Sequence, residues 1–173
     1  MYKNSRMDIN AVTVCTSQLP QKSHERIYRK LEQGFGKNNL REFSSQLGAF
    51  RHIKYNITFI DKCGFALWWD FDNIIFVEYI LIEELFRHQG IGSTIIDSIK
   101  KEGKMIVLEV EQGSETIGFY QINGFVCNKV NYNPIHINNY VPPKYMLMSY
   151  NRELLPEEYQ DFINTISNKE LQF

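Results

Sequence analysis

Cysteine is scarce in this sequence, and its spacing argues against several kinds of site. The 173 residues include three cysteines, Cys15, Cys63 and Cys127, which lie far apart and form no Cys-x-x-Cys pair. Neither a disulfide framework nor a zinc site fits this pattern, so we expect reduced thiols, a cytoplasmic protein and no bound metal.

An excess of charge of one sign and a long apolar run are also missing. The formal net charge is −1, from 19 Lys and Arg against 20 Asp and Glu, so nucleic acid is not an expected partner. The longest nearly apolar run, Ile74 to Ile82, is too short to cross a bilayer. The start, Met1 to Asn10, lacks the apolar core of a signal peptide. These absences predict a protein without a membrane span.

Hydrophobic periodicity predicts the fold class. The run Ile74–Ile82 is apolar on both faces, which is typical of a central strand. A helix is predicted over 92–101 and another strand over 105–111, which together form a parallel strand-helix-strand crossover. We predict an α/β (α+β) fold with a mixed, mostly antiparallel sheet of about six to seven strands, flanked by helices. The predicted organisation is one domain over residues 1–150, with a C-terminal helical extension packed on it over 151–173.

The most informative stretch is a glycine-bearing bend between the apolar strand and the predicted helix, Arg87-His88-Gln89-Gly90-Ile91-Gly92-Ser93. Glycines let backbone amides approach a ligand, and a helix N-terminus adds unpaired N–H groups and a positive dipole end. Together they predict an anion site suited to a pyrophosphate, although a plain strand-to-helix turn is the alternative. A P-loop and a dinucleotide fingerprint both fail, because Leu31 and Ile95 stand where those patterns require glycine.

This bend resembles a family signature. Arg87-x-x-Gly90-x-Gly92 is similar to the Q/R-x-x-G-x-G/A motif of the GNAT superfamily of N-acetyltransferases, and the segment from Phe119 to Phe125, FYQINGF, resembles its second motif. Two motifs in the family's order, within a resemblance that covers roughly residues 65–150, indicate a bacterial branch of this superfamily. The resemblance implies a GNAT-like fold. It also implies an acyl-CoA-dependent acetyltransferase that moves an acetyl group from acetyl-CoA to a primary amine by direct attack in a ternary complex.

The resemblance also implies roles for individual residues. Tyr120 stands where the family places a hydroxyl that protonates the departing thiolate, although a core tyrosine is the alternative. His88 stands where the family usually has a small residue. The implied cofactor-binding residues are the bend's Arg87, His88, Gln89, Gly90, Ile91, Gly92 and Ser93 at the pyrophosphate, and Ile80 and Ile82, whose backbone would pair with the pantetheine arm between two splayed strands.

Glu78 is a carboxylate in an otherwise apolar strand, on a face that strict alternation shares with Ile80 and Ile82. A buried carboxylate must be paired, be neutralised or face a cavity. We predict that Glu78 removes a proton from the acceptor amine, directly or through water, while a structural ion pair is the alternative. Glu109 and Glu111 alternate out of the next strand, and we expect them to line the same cavity and bind the substrate.

Two alternatives to this enzyme remain open. One is a non-catalytic acyl-CoA-binding or sensor module, which would not need Tyr120 or Glu78. The other is a transferase that uses a longer acyl-CoA. The acceptor is a small-molecule or peptide amine, and the acidic residues near the predicted site favour a cationic one. The sequence leaves the oligomeric state open, with a homodimer as one option.

Overall fold

A seven-stranded sheet organises the chain. The computed structural model describes residues 9–132 and 144–167. The strands are β1 (Val12–Cys15), β2 (Tyr55–Ile60), β3 (Gly64–Phe71), β4 (Ile74–Ile82), β5 (Met105–Glu111), β6 (Phe125–Cys127) and β7 (Tyr145–Tyr150). The helices are α1 (Gln21–Phe35), α2 (Phe43–Arg51), α3 (Ile91–Lys100), α4 (Thr116–Ile122) and α5 (Pro156–Ser167).

The strand order is β1-β2-β3-β4-β5-β7-β6, which puts β4 at the centre as its apolar faces predict. All neighbouring strands pair antiparallel except β4 and β5, which are parallel and are connected through α3. The predicted fold class, a mostly antiparallel sheet with one parallel crossover, is confirmed. In the part of the chain that the structure describes, no helix is both long and apolar enough to span a membrane.

Two apolar clusters cover the two faces of the sheet. Helices α1, α2 and α5 pack on one face, which we call the α1/α2 face, and α3 and α4 pack on the other, the α3/α4 face. On the α1/α2 face, Phe162 of α5 is almost fully buried and contacts Phe76 of β4, with ring centroids 5.4 Å apart. Helix α5 is thereby packed on the central strand, while the boundary of the C-terminal extension stays a prediction.

Strand β4 carries a β-bulge at Glu78. Consecutive residues of β3 face Val77 and Tyr79, so Glu78 is an extra residue on β4. An extra residue reverses the alternation of side chains beyond it. Ile80 and Ile82 consequently pack on the α3/α4 face, whereas the Glu78 carboxylate lies on the α1/α2 face. The prediction that these three residues share a face is therefore wrong, because strict alternation takes no account of a bulge.

The two central strands separate at this bulge. Parallel pairing between β4 and β5 ends at Val77 and Leu108, although β4 continues to Ile82 and β5 to Glu111. Beyond this last pair, β4 stays paired with β3, and β5 stays paired with β7. A gap therefore opens between β4 and β5 in the middle of the sheet, and it is the feature that positions the candidate site.

Candidate active site

The glycine-bearing bend follows the C-terminal end of β4 and lies at the surface. Residues 87–90 are exposed, and α3 begins directly after them at Ile91. Gly90 caps the helix at a φ of 80°, a left-handed conformation that favours glycine. His88 also has a positive φ, of 60°, which is uncommon for a residue with a side chain. The bend is thus open to a ligand from solvent.

Six consecutive backbone N–H groups of this bend, in residues 88–93, make no hydrogen bond within the described ranges. The first bonded amide of the helix is that of Thr94, which donates to the Gly90 carbonyl at 3.0 Å. Unbonded amides in a first helical turn point along the helix axis toward solvent and carry its positive dipole end. The arrangement is therefore suited to an anion with several oxygen atoms, as predicted for a pyrophosphate.

The two glycines of the bend serve different purposes. A Cβ atom at Gly90 would meet nothing within 4 Å, so backbone conformation is what requires glycine there. A Cβ atom at Gly92 would lie 2.9 Å from Cζ of Phe119. Gly92 therefore lets the start of α3 approach α4 closely, and the two sequence motifs are in contact at this point.

The backbone of β4 offers hydrogen-bonding groups to the gap. The Glu83 N–H donates to the Cys63 carbonyl, on the side of β3, at 2.9 Å. Because successive residues of a strand direct these groups to opposite neighbours, Ile80 and Ile82 direct theirs toward β5. The Ile82 carbonyl also accepts a hydrogen bond from Arg87 Nε at 3.2 Å, which ties the bend to the strand.

Glu78 is bound through both of its oxygen atoms. Oε1 pairs with Arg41 Nη2 at 2.5 Å, and Oε2 accepts hydrogen bonds from the Tyr55 hydroxyl at 2.6 Å and Trp69 Nε1 at 3.3 Å. The side chains of Arg41 and Glu78 are only 13% and 9% exposed. This arrangement favours the ion-pair alternative for Glu78 over a carboxylate that is free to take a proton.

Glu109 lies across the gap from Glu78. It directly follows Leu108, the last β5 residue to pair with β4, and it shares the α1/α2 face with Val107. Oε1 of Glu109 accepts a hydrogen bond from the Tyr132 hydroxyl, while no bond is found for Oε2 among the described residues. Burial raises the pKa of Glu109 to about 7, although the hydrogen bond from Tyr132 lowers it. The Glu109 carboxyl group can therefore exchange a proton near neutral pH. Glu111, the other predicted substrate-binding residue of β5, is exposed at the end of the strand.

Tyr120 lies on α4, on the α3/α4 face of the sheet. Its ring contacts Phe119 and Phe125, with centroids 5.2 Å and 5.9 Å away. Burial raises the pKa of Tyr120 to about 12, and no hydrogen bond of its hydroxyl is found in the described segments. A carboxyl group and a phenol thus flank the central strands from opposite faces.

Three polar side chains of the site were not predicted from the sequence, namely Arg41, Tyr55 and Tyr132. Arg41 comes from the connection between α1 and α2, and Tyr132 follows the short strand β6. No local pattern distinguishes them, because their role depends on contacts with distant strands. Among the described residues, no group of three or more His, Cys, Asp or Glu side chains could hold a metal ion.

The fold of this chain is similar to that of solved acetyltransferase structures. No family model matches the chain. A solved structure from Bacteroides thetaiotaomicron, described as a GNAT-family acetyltransferase, has a TM-score of 0.76 at 22% identity and covers 91% of this chain and 96% of its own. The chain has the GNAT fold. The resemblance to GNAT acetyltransferases in the two motifs is thereby confirmed at the level of the fold.

Two further comparisons extend this likeness. The solved structure of Naa50 from Arabidopsis thaliana with the bisubstrate analogue CoA-Ac-MVNAL is similar to this chain, with a TM-score of 0.59 at 14% identity; the match covers 82% of this chain and 98% of its own. A curated relative, YjbC of Bacillus subtilis (strain 168), carries the name of an acetyltransferase and is 44% identical over 46 residues. That match spans 27% of this chain and about a quarter of the relative, 24%.

Proposed function

We propose that this chain is an acyl-CoA-dependent N-acetyltransferase that moves an acetyl group from acetyl-CoA to a primary amine by direct attack in a ternary complex. The observation that carries this proposal is the run of six backbone N–H groups in residues 88–93 that make no hydrogen bond within the described ranges, with residues 87–90 exposed. The run follows the C-terminal end of β4, beyond the gap between β4 and β5, in a fold that known acetyltransferases share. A CoA site needs backbone amides that bind the diphosphate. It also needs a gap between strands that admits the extended pantetheine arm.

The coenzyme follows the backbone of β4 in this proposal. The amides from His88 to Ser93 bind the two phosphates, and Arg87 and His88 flank them. The pantetheine arm enters the gap and pairs with the backbone of Ile80 and Ile82, as an added strand would. The thioester then lies beside the bulge at Glu78, where the sheet is open to both faces.

Glu109 is the carboxyl group best suited to accept the proton of the amine. An acceptor amine arrives protonated and must lose a proton before it attacks, and a base with a pKa near 7 is matched to this task. Glu78 is already bound to Arg41, Tyr55 and Trp69, whereas Oε2 of Glu109 makes no hydrogen bond among the described residues. Among the three predicted carboxylates, Glu109 is therefore assigned as the base.

The transfer itself uses both faces of the sheet. The amine nitrogen attacks the thioester carbonyl from the α1/α2 face, and a backbone N–H of β4 stabilises the negative charge on the carbonyl oxygen. A C–N bond forms and the C–S bond breaks. The ammonium proton that Glu109 accepts before the attack passes to solvent, and Glu109 then takes the second proton, which the nitrogen loses as the amide forms. Tyr120 donates its proton to the CoA thiolate from the α3/α4 face and regains a proton from solvent. Burial raises the pKa of Tyr120, and the same apolar surroundings also disfavour the charged thiolate of CoA. Burial therefore disfavours the anionic forms of both the donor and the acceptor of this proton.

The acceptor is proposed to be a cationic primary amine, either a small molecule or a peptide. Naa50, whose fold is similar, was solved with an analogue that joins CoA to a peptide, and this supports a peptide as one class of acceptor. In this chain, a carboxyl group that gains a negative charge near neutral pH favours an ammonium group over a neutral or acidic one.

The diphosphate site can be tested by calorimetry with coenzyme A and the variant Ser93→Asp. Ser93 is the third residue of α3, where an aspartate stabilises the helix but places a carboxylate beside the unbonded amides. We expect about tenfold weaker CoA binding with no loss of stability. The control is Gln21→Glu, which adds an acidic group to the first turn of α1 and should leave CoA binding unchanged. Equal binding by Ser93→Asp and the parent chain would contradict the proposed site.

Catalysis is tested separately, by CoA release from acetyl-CoA with a panel of amines. Acetylation of an amine, lost in Glu109→Gln and reduced in Tyr120→Phe, is the expected result. If CoA binds but no amine is acetylated, the acyl-CoA-binding module is the better description. Competition among acyl-CoAs of different chain length identifies the transferred group.

A further inference from the structure

A buried ion pair connects the α1–α2 connection with the bulge of the central strand. Arg41 is held at both of its ends, because its carbonyl accepts a hydrogen bond from the Tyr28 hydroxyl at 2.8 Å and its guanidinium binds Glu78 at 2.5 Å. The guanidinium also lies 3.4 Å from Oε1 of Gln46, whose amide in turn lies 3.4 Å from the Tyr55 hydroxyl. The pair is thus part of a continuous polar network inside an apolar face.

Such a pair requires an explanation other than stability. A buried ion pair is weak evidence for stability, because removing two charges from water costs about as much as their attraction returns. This pair also stands at the bulge beside Glu109, so that two carboxyl groups lie on neighbouring strands where β4 and β5 separate. Two buried carboxyl groups this close do not both ionise readily, unless a cation neutralises one of them.

The distribution of partners between the two carboxyl groups is unequal. Glu78 has a cation and two hydrogen-bond donors, whereas Glu109 has the Tyr132 hydroxyl as its hydrogen-bond donor in the part of the chain described. Arg41 therefore pairs with the Glu78 carboxylate, and the charge of Glu78 disfavours a second negative charge on Glu109. One carboxyl group is committed to the fold, and the other is left to take up and release a proton.

We infer that Arg41 and Glu78 are a positioning pair, which fastens the α1–α2 connection to β4 and makes Glu109 the carboxyl group that exchanges a proton with the acceptor. The expected effect on the rate of acetyl transfer rests on the proposed function. The expected effect on the titration of Glu109 does not. Among the described residues, the charged and titratable groups that act on Glu109 come from three elements around it. They are Glu78 and Tyr79 of β4, Arg41 of the α1–α2 connection, and Tyr132 of the segment after β6.

Opposite substitutions in the pair should shift the titration of Glu109 in opposite directions. Glu78→Gln leaves the Arg41 cation without its partner, which favours the ionised form of Glu109 and lowers its pKa. Arg41→Gln leaves the Glu78 anion unpaired, which raises the pKa of Glu109. We expect shifts of about 0.5 to 1 pH unit each, since an unpaired charge near a carboxyl group moves its pKa by about that much or more. The double variant lacks both charges and should titrate close to the parent chain.

Two readouts measure these shifts. The first is the ascending limb of kcat against pH with one amine at saturation, so that the ionisation of the acceptor is common to all variants. The second is the NMR titration of the Glu109 side-chain carboxyl in the free protein, which needs no activity. The matched control is Asp70→Asn, which breaks another part-buried ion pair of the sheet, with Lys104, and should leave both readouts unchanged.

The outcomes separate this inference from the proposed function. Opposite NMR shifts with no acetylation in any variant would support the positioning pair and contradict the enzyme. Shifts in one direction, or none in folded single variants, would overturn the positioning pair even if acetylation is observed. If Arg41→Gln does not fold, Arg41→Lys keeps the positive charge and should keep the parent titration. A shift in that variant as large as that of Glu78→Gln would also overturn the inference.

Discussion

Replacing Glu109 with glutamine should make the protein more stable at alkaline pH and less active. Burial raises the pKa of Glu109 from 4.5 to about 7, so the folded protein binds this proton more tightly than the unfolded chain does. The contribution to stability is therefore fully present below pH 4.5 and is lost as the pH rises through 7. At 1.36 kcal/mol per pH unit, the ionised carboxyl group lowers the free energy of unfolding by about 3 kcal/mol at pH 8.5.

Glutamine matches the size of the protonated side chain and stays neutral at every pH. It can still accept the hydrogen bond from Tyr132, so little packing should be lost. We expect Glu109→Gln to exceed the parent chain in free energy of unfolding by up to about 3 kcal/mol at pH 8.5, with the difference fading near pH 5. Its rate of acetyl transfer should fall by about 100-fold or more, because the base is gone.

Urea unfolding at several pH values between 5 and 8.5 measures this difference. Glu111→Gln is the matched control, because Glu111 lies on the same strand but is exposed, and its replacement should give no pH-dependent change. A Glu109→Gln variant that is no more stable than the parent at pH 8.5 would refute the reasoning. So would an offset of the same size at both ends of the pH range.

Three further predictions follow from the packing and the site. Tyr120→Phe should lower kcat about 10-fold or more without changing CoA affinity, since only the proton donor is lost; stopped assays and calorimetry measure the two. Gly92→Ala should weaken CoA binding and lower the melting temperature, because the added Cβ would lie 2.9 Å from Phe119. By contrast, a Cβ atom at Gly118 would meet nothing within 4 Å, so Gly118→Ala should stabilise α4 by about 0.5 to 1 kcal/mol. Phe162→Ala should cost about 3 to 5 kcal/mol in urea unfolding, because α5 buries this ring against Phe76.

Local patterns were sufficient for the elements around the proposed coenzyme site. The apolar run of β4 indicated a central strand because both of its faces are covered, and a helix needs an unbonded first turn whatever it packs against. Glycine at position 90 is explained by its left-handed backbone conformation, which few other residues adopt readily. These properties depend on residues within a few positions of one another, so they can be inferred before the fold is known.

The acid–base groups could be inferred only in part. Glu78 and Glu109 were both recognised as carboxylates at the site, but their local patterns do not separate them. The bulge at Glu78 was invisible because β4 is apolar on both faces, so no break in a polar–apolar alternation marks the extra residue. For this reason Ile80 and Ile82 were wrongly predicted to share a face of the sheet with Glu78.

The order of the elements, the identity of the central strand and the glycine-bearing bend all follow from short stretches of sequence, because each depends on backbone geometry and local hydrophobic period. The roles of the two carboxyl groups follow from the folded chain. A pKa depends on burial and on charges within a few ångströms, and for Glu78 and Glu109 these come from Arg41 and Tyr132, which are distant in sequence. Folding brings them together at the gap, and that proximity decides which carboxyl group holds the structure and which can carry a proton.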